Sequence, residues 1–494
     1  VLNYDVGEDV YVRVEDADAN TAGGSVEILS VLLSSATETG GESLTLTETG
    51  MNTGVFEGSM GFDASGGVSA DGVLQVSRGD KLTALYADPA DDFGNPVDIR
   101  DVAFYGVTLM SGTLYGPNTW DVASSPYLVT GDVTVDGSAS LTIEPGVEVR
   151  FVPLSDDQSA GEDANRSELK VYGTLTAIGT EANNIVLTSN SETPSSGDWY
   201  GIFLQNGNAN GSIQYTDISH GTYGVRGNEL YGSPIDTFRV LRNHIHDSGT
   251  AIYFDNSHRF MEISNNQIED CSGFGIYVGW SNMQSRGIID NNTIDRVNSY
   301  GMYIGGHDYY EITNNHIDTG NNFGIYTDNS NYYLYAYNEI FNRNDGGISI
   351  NNVSNARVDE CTIQNNGNWG IQISSSNVVV EHSTITDNSN GVYINTDFEN
   401  PVVDTLRYNT ITNNNGYGIH NYNYGRPVVQ YNDLHGNGNY DYRNSSSTWS
   451  ELDARYNWWG QATTDSMDLG GNPKNIQKIY DFYDNSEYGF VNYG

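Results

Sequence analysis

One spacing recurs through more than half of this chain. A glycine, once an alanine, opens a short Gly-apolar stretch at Gly201, Gly224, Ala251, Gly275, Gly301, Gly324, Gly347, Gly370, Gly391 and Gly418, at intervals of 23, 27, 24, 26, 23, 23, 23, 21 and 27 residues. A second marker, the residue two places before an Ile or Leu, keeps the same step. It falls on Thr216, Asn243, Asn266, Asn292, Asn315, Asn338, Cys361, Ser383, Asn409 and Asn432, with Asn457 closing the series. Two markers in phase over so many steps make an internal repeat.

Each period holds two or three short alternating segments, such as "EITNNHI" and "FGIYTD", separated by Asn, Gly, Asp and Ser. These are too short for helices and have strand composition. One such turn cannot bury its apolar residues alone, so neighbours must stack. Coils of this length stacked in register predict an all-β chain, a right-handed parallel β-helix of ten or more coils of about 23 residues. Ile294, Met302 and Ile304 then point inward. Asn243, Asn266, Asn292, Asn315, Asn338, Asn409 and Asn432 sit at a bend and bond one another as an amide ladder, Asn being tolerant of the left-handed backbone a bend favours. Cys361 and Ser383 interrupt that ladder without overfilling it. Gly301 is expected to let the chain turn tightly before its strand. Cys271 and Cys361 fall about four coils apart, roughly 19 Å at the ~4.8 Å strand spacing. A disulfide needs Cα atoms within ~7 Å, so both are expected as unpaired buried fillers.

Composition narrows the partners. Lys plus Arg number 21 against 64 Asp plus Glu, a net charge of −43 that repels nucleic acid and anionic membrane. Such acidity often accompanies disorder, but 35 Tyr, 15 Phe and 7 Trp argue for an ordered, turn-rich chain. No 18-residue apolar run is present, so no span of a bilayer is expected. Val1 opens almost directly onto "VYVRVEDAD", which reads as a processed or trimmed product.

Several phrases are familiar. "VTGDVTVDGSASLTIEPGVEVRF" (129–151), "LKVYGTLTAIGTEANNIVLTS" (169–189), "GDWYGIFL" (197–204) and "YNWWG" (456–460) make residues 112–494 resemble the right-handed parallel β-helix family of pectate-lyase-like and copper-periplasmic-type repeat proteins. The resemblance implies the fold and a secreted setting. Residues 1–105 lack the repeat and alternate with turn punctuation every ten or so residues, which predicts a small antiparallel β-sandwich. "TETGMNTGVFEGS" is similar to immunoglobulin-like modules of bacterial and archaeal surface proteins. The expected division is 1–105 sandwich, 106–195 leading coils and N-terminal cap, 196–460 regular repeats, and 461–494 C-terminal cap or tail.

Four groups of residues bear on chemistry. Asp16, Asp18 and Asn20, and separately Asp88, Asp91, Asp92 and Asn95, offer clustered oxygens of the kind Ca2+ takes as ligands. The same residues make turns, so both readings stand; "SDDQSAGEDAN" (155–165) reads as a solvated loop with a cation site as its alternative. Pectin chemistry, which the family resemblance invites, finds only fragments. "NTD" (395–397) runs into Phe398, "LHG" (434–436) is isolated, and no carboxyl pair separated by the ~6.5–9.5 Å of an inverting hydrolase assembles around Asp397. His244 and His246 flank Ile245 and share the outward face of one strand, with His316 and His382 near corresponding positions. These read as exposed strand histidines or a zinc site. Tyr253, Tyr277, Tyr303, Tyr326 and Tyr393 follow the Gly-apolar pair and should form an outward row. That row is either a contact surface for sugar rings or protein, or a stack that stiffens the wall.

With no complete lyase or hydrolase set, the leading expectation is a non-enzymatic, secreted or cell-surface structural protein. It would self-associate head-to-tail into filaments, in one version with Val1–Glu15 completing a neighbour's sandwich. The alternative is a β-helix that binds or cleaves an extracellular polysaccharide on its tyrosine-lined wall.

Overall fold

The computed structural model describes residues 2–494 apart from 67–69, 92, 206–208, 231–236, 258–259, 281–285, 397–402 and 448–450. Ser111–Thr119, Gly131–Gly146 and Phe151–Gly494 form one compact unit, a parallel β-solenoid of about 14 turns of about 23 residues. Each regular coil contributes three short strands and so builds three walls. Wall A includes Thr250–Asp255, Ile276–Val278, Met302–Gly305 and Ile325–Ser330; wall B includes Phe260–Ser264, Arg286–Asp290 and Tyr309–Thr313; wall C includes His244–His246, Gln267–Glu269 and Thr293–Asp295. Every strand pairs in parallel with its equivalent one coil on. In wall C the register runs Ile245, Ile268, Ile294, Ile317, Ile340, Ile363, Ile385, Ile411 and Leu434. All nine are 0% exposed. At roughly 1.5–3 kcal/mol for each buried aliphatic side chain, this single column is a major source of the unit's cohesion. Met302 and Ile304 face the same core from wall A.

The corner between walls B and C carries the amide ladder. Asn292 is typical. Its Nδ2 donates to the Ile263 carbonyl (2.9 Å) and to Asn315 Oδ1 (2.9 Å), while its Oδ1 accepts from the Asn266 backbone N–H (3.0 Å) and side chain (2.9 Å). Asn243, Asn266, Asn315, Asn338, Asn409 and Asn432 are 0–2% exposed in the same arrangement. At Cys361 the thiol accepts weakly from Asn338 at 3.9 Å, and the Cys361 N–H passes to Ser383 Oγ. Two sequence expectations are corrected here. The left-handed residue of the bend is the one before the ladder position: Arg242, Asn265, Asn291, Asn314, Tyr337, Glu360, His382, Tyr408, Tyr431 and Tyr456 have φ between 50° and 66°. The strand-opening glycines answer to crowding rather than turning. A Cβ on Gly301 would lie 2.6 Å from the Gly324 carbonyl oxygen and 2.7 Å from Ile317 Cγ2.

Five residues beyond the first ladder runs a second, which the sequence markers did not isolate. Asn366, Asn388, Asn414 and Asn437 repeat the same bonding. One step earlier Arg343, 1% exposed, replaces asparagine and donates to the carbonyls of Ser299, Asp318, Thr319 and Asn322. Gly320 makes the room, since a Cβ there would collide with the guanidinium. Cys271 and Cys361 are buried and unpaired. The 461–494 segment forms helix α1 (Gln461–Asp468), adds Ile479–Tyr480 to Tyr442–Arg443 of the last wall-A strand, and pairs Val491–Asn492 with Leu452–Asp453.

The other compact unit is Val1–Met110 with Trp120–Thr130 and Val147–Arg150. Its strands are β1 (Leu2–Tyr4), β2 (Val10–Glu15), β3 (Ile28–Ser34), β4 (Glu42–Glu48), β5 (Val55–Met60), β6 (Phe62–Asp63), β7 (Leu74–Gln75), β8 (Lys81–Asp88) and β9 (Val97–Tyr105). The expected antiparallel sandwich is instead one seven-stranded mixed sheet, ordered β1-β9-β8-β3-β4-β5-β2, with β1 parallel to β9. Its core includes Val31, Leu46, Phe56 and Leu74. An open cavity of about 220 Å³ is lined by β2 and β9 residues. The Tyr4 hydroxyl spans from β1 to the backbone of Tyr11 on β2, which draws the two edges of the sheet together as a partial barrel. The Val1–Glu15 segment is therefore not a free donor strand: Leu2–Tyr4 pairs with Ala103–Tyr105 and Val10–Glu15 with Val55–Met60 of the same chain.

Candidate functional site

Wall A places one outward residue per coil in a continuous column: Lys170, Phe203, Arg226, Tyr253, Tyr277, Tyr303, Tyr326, Ser349, Gln372, Tyr393, His420, Arg443 and Tyr480. The strand period of two puts each between inward residues such as Ile252 and Phe254, which are 0% exposed. Tyr253 and Tyr277 stack at 4.3 Å and 5°, Tyr277 and Tyr303 at 5.0 Å and 10°, Tyr303 and Tyr326 at 5.2 Å and 12°. Rings stacked so closely cover one another's faces. What they present outward is a row of ring edges and hydroxyls. Burial raises the pKa of all four phenols, so they are neutral hydrogen-bonding groups at physiological pH.

Ring neighbours widen this column. Phe274 meets Tyr277 edge-on at 5.1 Å and Tyr300 meets Tyr303 edge-on at 5.9 Å. Arg226 heads the stack, its guanidinium 4.6 Å from the Phe203 ring, 5.2 Å from Tyr223, 5.6 Å from Tyr200 and 6.0 Å from Tyr253. Glu162 lies 3.7 Å from it. Beyond Tyr326 the column carries no ring for two coils, at Ser349 and Gln372, and resumes at Tyr393, which packs against Trp369 at 4.9 Å. The sequence reading found the five tyrosines but missed Arg226, Lys170 and Phe203. Their coils lack the Gly-apolar-Tyr phrase, and only the register places them in line.

Beside the head of the stack, the 155–165 loop covers two acids and is packed rather than merely solvated. Asp132 and Glu168 are 3% and 0% exposed. Glu168 Oε1 accepts the N–H groups of Glu162 and Asp163, and Asp132 Oδ1 accepts that of Glu168. Burial lifts Asp132 to about 6, helped by Asp156, and lifts Glu168 to about 7, with Asp132 adding to it.

The predicted calcium residues hold their own turns. Asp16 accepts from Asp18 and Ala19 N–H and from the Tyr86 hydroxyl at 2.6 Å. Asn20 bonds Asn52, Asp88 accepts from Ala90 N–H, and Asp91 accepts from Phe93 and Asn95 N–H. Asp92 and Asp397 lie outside the described residues. Among the described residues, two groups of His, Cys, Asp or Glu bring three donor atoms within 4.8 Å of one another: Asp217, His244 and His246, and Asp359, Glu381 and His382. In the second, the buried Glu381 is already engaged by Arg357 and Arg407, each at 2.7 Å. His316 pairs with Glu339 at 2.9 Å, and His435 of "LHG" with Asp433 at 3.1 Å. A second aromatic column, also missed, occupies the left-handed corner. Tyr408, Tyr431 and Tyr456 stack at 5.4 and 5.1 Å and are 51%, 48% and 61% exposed.

Residues 176–303 and 250–405 match a family model described as right handed beta helix region, and residues 113–233 match one described as pectate-lyase like beta helix domain. Among curated proteins, Protein bark beetle of Drosophila melanogaster is 36% identical over 85 residues, a match spanning 17% of this chain and 2% of that protein. Among solved structures, the periplasmic alginate epimerase AlgG is 15% identical with a TM-score of 0.42, covering 68% of this chain and 77% of that one. The catalytic unit of a thermostable α-1,3-glucanase from Streptomyces thermodiastaticus is 12% identical with a TM-score of 0.40, covering 97% and 90%. The mannuronan C-5 epimerase AlgE4 A-module of Azotobacter vinelandii is 13% identical with a TM-score of 0.37, covering 60% and 86%.

Proposed function

Because the chain is a right-handed parallel β-helix protein with pectate-lyase-like coils, its outward columns are repeating surfaces, and we propose that wall A binds a neutral polysaccharide outside the cytoplasm. The observation that carries this reading is the in-register column Tyr253, Tyr277, Tyr303 and Tyr326, headed by Arg226. It offers the same hydroxyl edge once per coil, at the ~4.8 Å strand spacing, and a ligand that itself repeats meets it in several registers. Sugar hydroxyls are matched by phenol hydroxyls that donate and accept. The recognition is by hydrogen bonds from ring edges; the stacking of sugars on ring faces is closed off because the rings spend those faces on one another. A net charge of −43 selects against a polyanion unless cations bridge it.

The filament reading has less in its favour. The segment that would complete a neighbour's sheet is used within its own, and the final coil is paired with the 461–494 tail. Binding rather than cleavage is the assignment, since the acids with raised pKa beside the column, Asp132, Glu168, Asp441 and Asp481, are each 0–3% exposed. Affinity electrophoresis through gels of glucan, mannan, xylan and galactan tests the reading, with polygalacturonate as the acidic control. We expect retardation by at least one neutral polymer, and a loss of about tenfold in affinity for Tyr277→Phe/Tyr303→Phe, which keeps the rings and removes two hydroxyls worth about 1 kcal/mol together or more. Retention equal to wild type in that variant, or no retardation by any neutral polymer, overturns it.

A further inference from the structure

Wall C carries a side-chain group that the stacking of the coils does not require. We propose that Asp217, His244 and His246 form a site for a borderline divalent transition metal, zinc above all, with a coordination position open to solvent. The site stands whether or not wall A binds sugar.

The repeat builds it. Ile218 and Ile245 point inward at 0% exposure, so the strand alternation turns Asp217, His244 and His246 outward. The register sets Asp217 beside His244 in the next coil and Ser219 beside His246. The two imidazoles, two residues apart, stack with centroids 4.3 Å apart. Asp217 reaches both, with Oδ2 3.0 Å from His244 Nδ1 and Oδ1 3.2 Å from His246 Nε2. Tetrahedral zinc with bonds of ~2.0–2.1 Å sets its ligand atoms about 3.3 Å apart. The two nitrogen–oxygen separations already stand near that spacing, and one donor atom from each of the three residues lies within 4.8 Å of the others.

A second observation concerns the other ring nitrogens. His244 Nε2 lies 2.8 Å from Glu269 Oε1, and His246 Nδ1 lies 2.7 Å from Asp247 Oδ2. Glu269 is itself held by Arg296 at 2.6 Å. A carboxylate on the remote nitrogen is the arrangement that orients metal-bound histidine and fixes its tautomer. It keeps the ring proton on the outer side and aims the lone pairs of His244 Nδ1 and His246 Nε2 at the place where Asp217 points. Without a metal, each imidazole lies between two carboxylates and must hold two protons to satisfy both. With one, each holds a single proton and the metal takes the inner position. Two imidazoles and one carboxylate suit zinc, cobalt, nickel or copper, whereas calcium and magnesium prefer all-oxygen sites. Three protein ligands leave a fourth position for water or an oxygen of a bound molecule.

The test uses the full chain, free of any polyhistidine tag and dialysed against chelator. Calorimetric titration with ZnCl₂ is expected to show one saturable equivalent, unaffected by millimolar CaCl₂. His244→Gln/His246→Gln should abolish it, and Glu269→Gln should weaken it about 10–100-fold, as loss of an outer partner does. Cobalt(II) gives a reading independent of folding in the variants: bound to the wild-type chain it should develop the intense visible absorption of a four- or five-coordinate nitrogen-oxygen site. Zinc binding of equal stoichiometry and affinity in the double histidine variant, or a cobalt spectrum no different from the aquated ion, overturns the proposal.

Discussion

Replacing Asn292 with alanine isolates what the amide ladder contributes. The side chain is 1% exposed and makes four hydrogen bonds. Two of its partners have other bonds to fall back on: Asn266 Nδ2 still donates to Val240 O, and Asn315 Oδ1 still accepts the Asn292 N–H. The Asn266 N–H and the Ile263 carbonyl lose their ladder partner inside the protein. At about 1–3 kcal/mol for each buried group left unsatisfied, the loss is about 2–6 kcal/mol, centred near 4. Stacked coils respond locally, so a single unfolding midpoint reports only a diluted sum, whereas peptide-level exchange resolves the affected coil. Hydrogen exchange read by mass spectrometry on peptides spanning 262–296 is the appropriate assay. An opening cost lowered by about 4 kcal/mol corresponds to exchange faster by about a thousandfold, at 1.4 kcal/mol per factor of ten. Thr293→Ala, at the exposed neighbouring position, should change protection little, and Cys361→Asn, which restores the ladder where sulfur now interrupts it, should slow exchange in its own coil. A change below tenfold in Asn292→Ala, or one matched by Thr293→Ala, refutes the assignment of the ladder as a source of stability.

Two further outcomes follow from buried charge. Arg343→Met should lower thermal stability by about 3–5 kcal/mol, because four backbone carbonyls that cannot themselves be substituted lose their donor; an unchanged melting curve contradicts this. Burial raises Glu168 from its ordinary value to about 7, against the N–H groups of Asp163 and Glu162 that it accepts, with the Asp132 charge adding to the rise and Lys170 4.0 Å away opposing it. A carboxyl whose folded pKa is raised favours folding when protonated, so its contribution is complete below about pH 4.5 and is lost as pH rises through about 7. Glu168→Gln should therefore melt higher than wild type at pH 8 and alike at pH 5. A variant that melts lower at pH 8 but not at pH 5 shows that the charged carboxylate is needed there, and rejects the reasoning.

Much of the solenoid was legible because its rules are local and repeated. The inward column Ile245 to Leu434 and the ladder from Asn243 to Asn432 both follow from a marker that recurs every coil, so one correct coil is nearly all of them. Errors arose where a residue's role depends on what lies in the coil above. Gly301 reads as a turn residue, yet its missing Cβ makes room for the Gly324 carbonyl. Asn292 reads as the left-handed residue, but that conformation belongs to Asn291, whose side chain is free to point outward. In the front unit no repeat guides the reading, and alternation alone does not distinguish two facing sheets from one sheet that curls and pairs its first strand in parallel with its last.

The amino-acid order alone settled the period, the inward aliphatics and the corner amides, since a coil that cannot bury its own apolar face must stack on its copies. Which outward residues become neighbours was decided only in three dimensions. Coil lengths vary from 21 to 27 residues, yet the parallel register holds the inward columns in line from coil to coil, with a register shift between Asn351 and Ser354. That register sets Asp217 against His244, Arg226 above Tyr253 and the tyrosine rings face to face, relations that separations of about two dozen residues along the chain do not reveal.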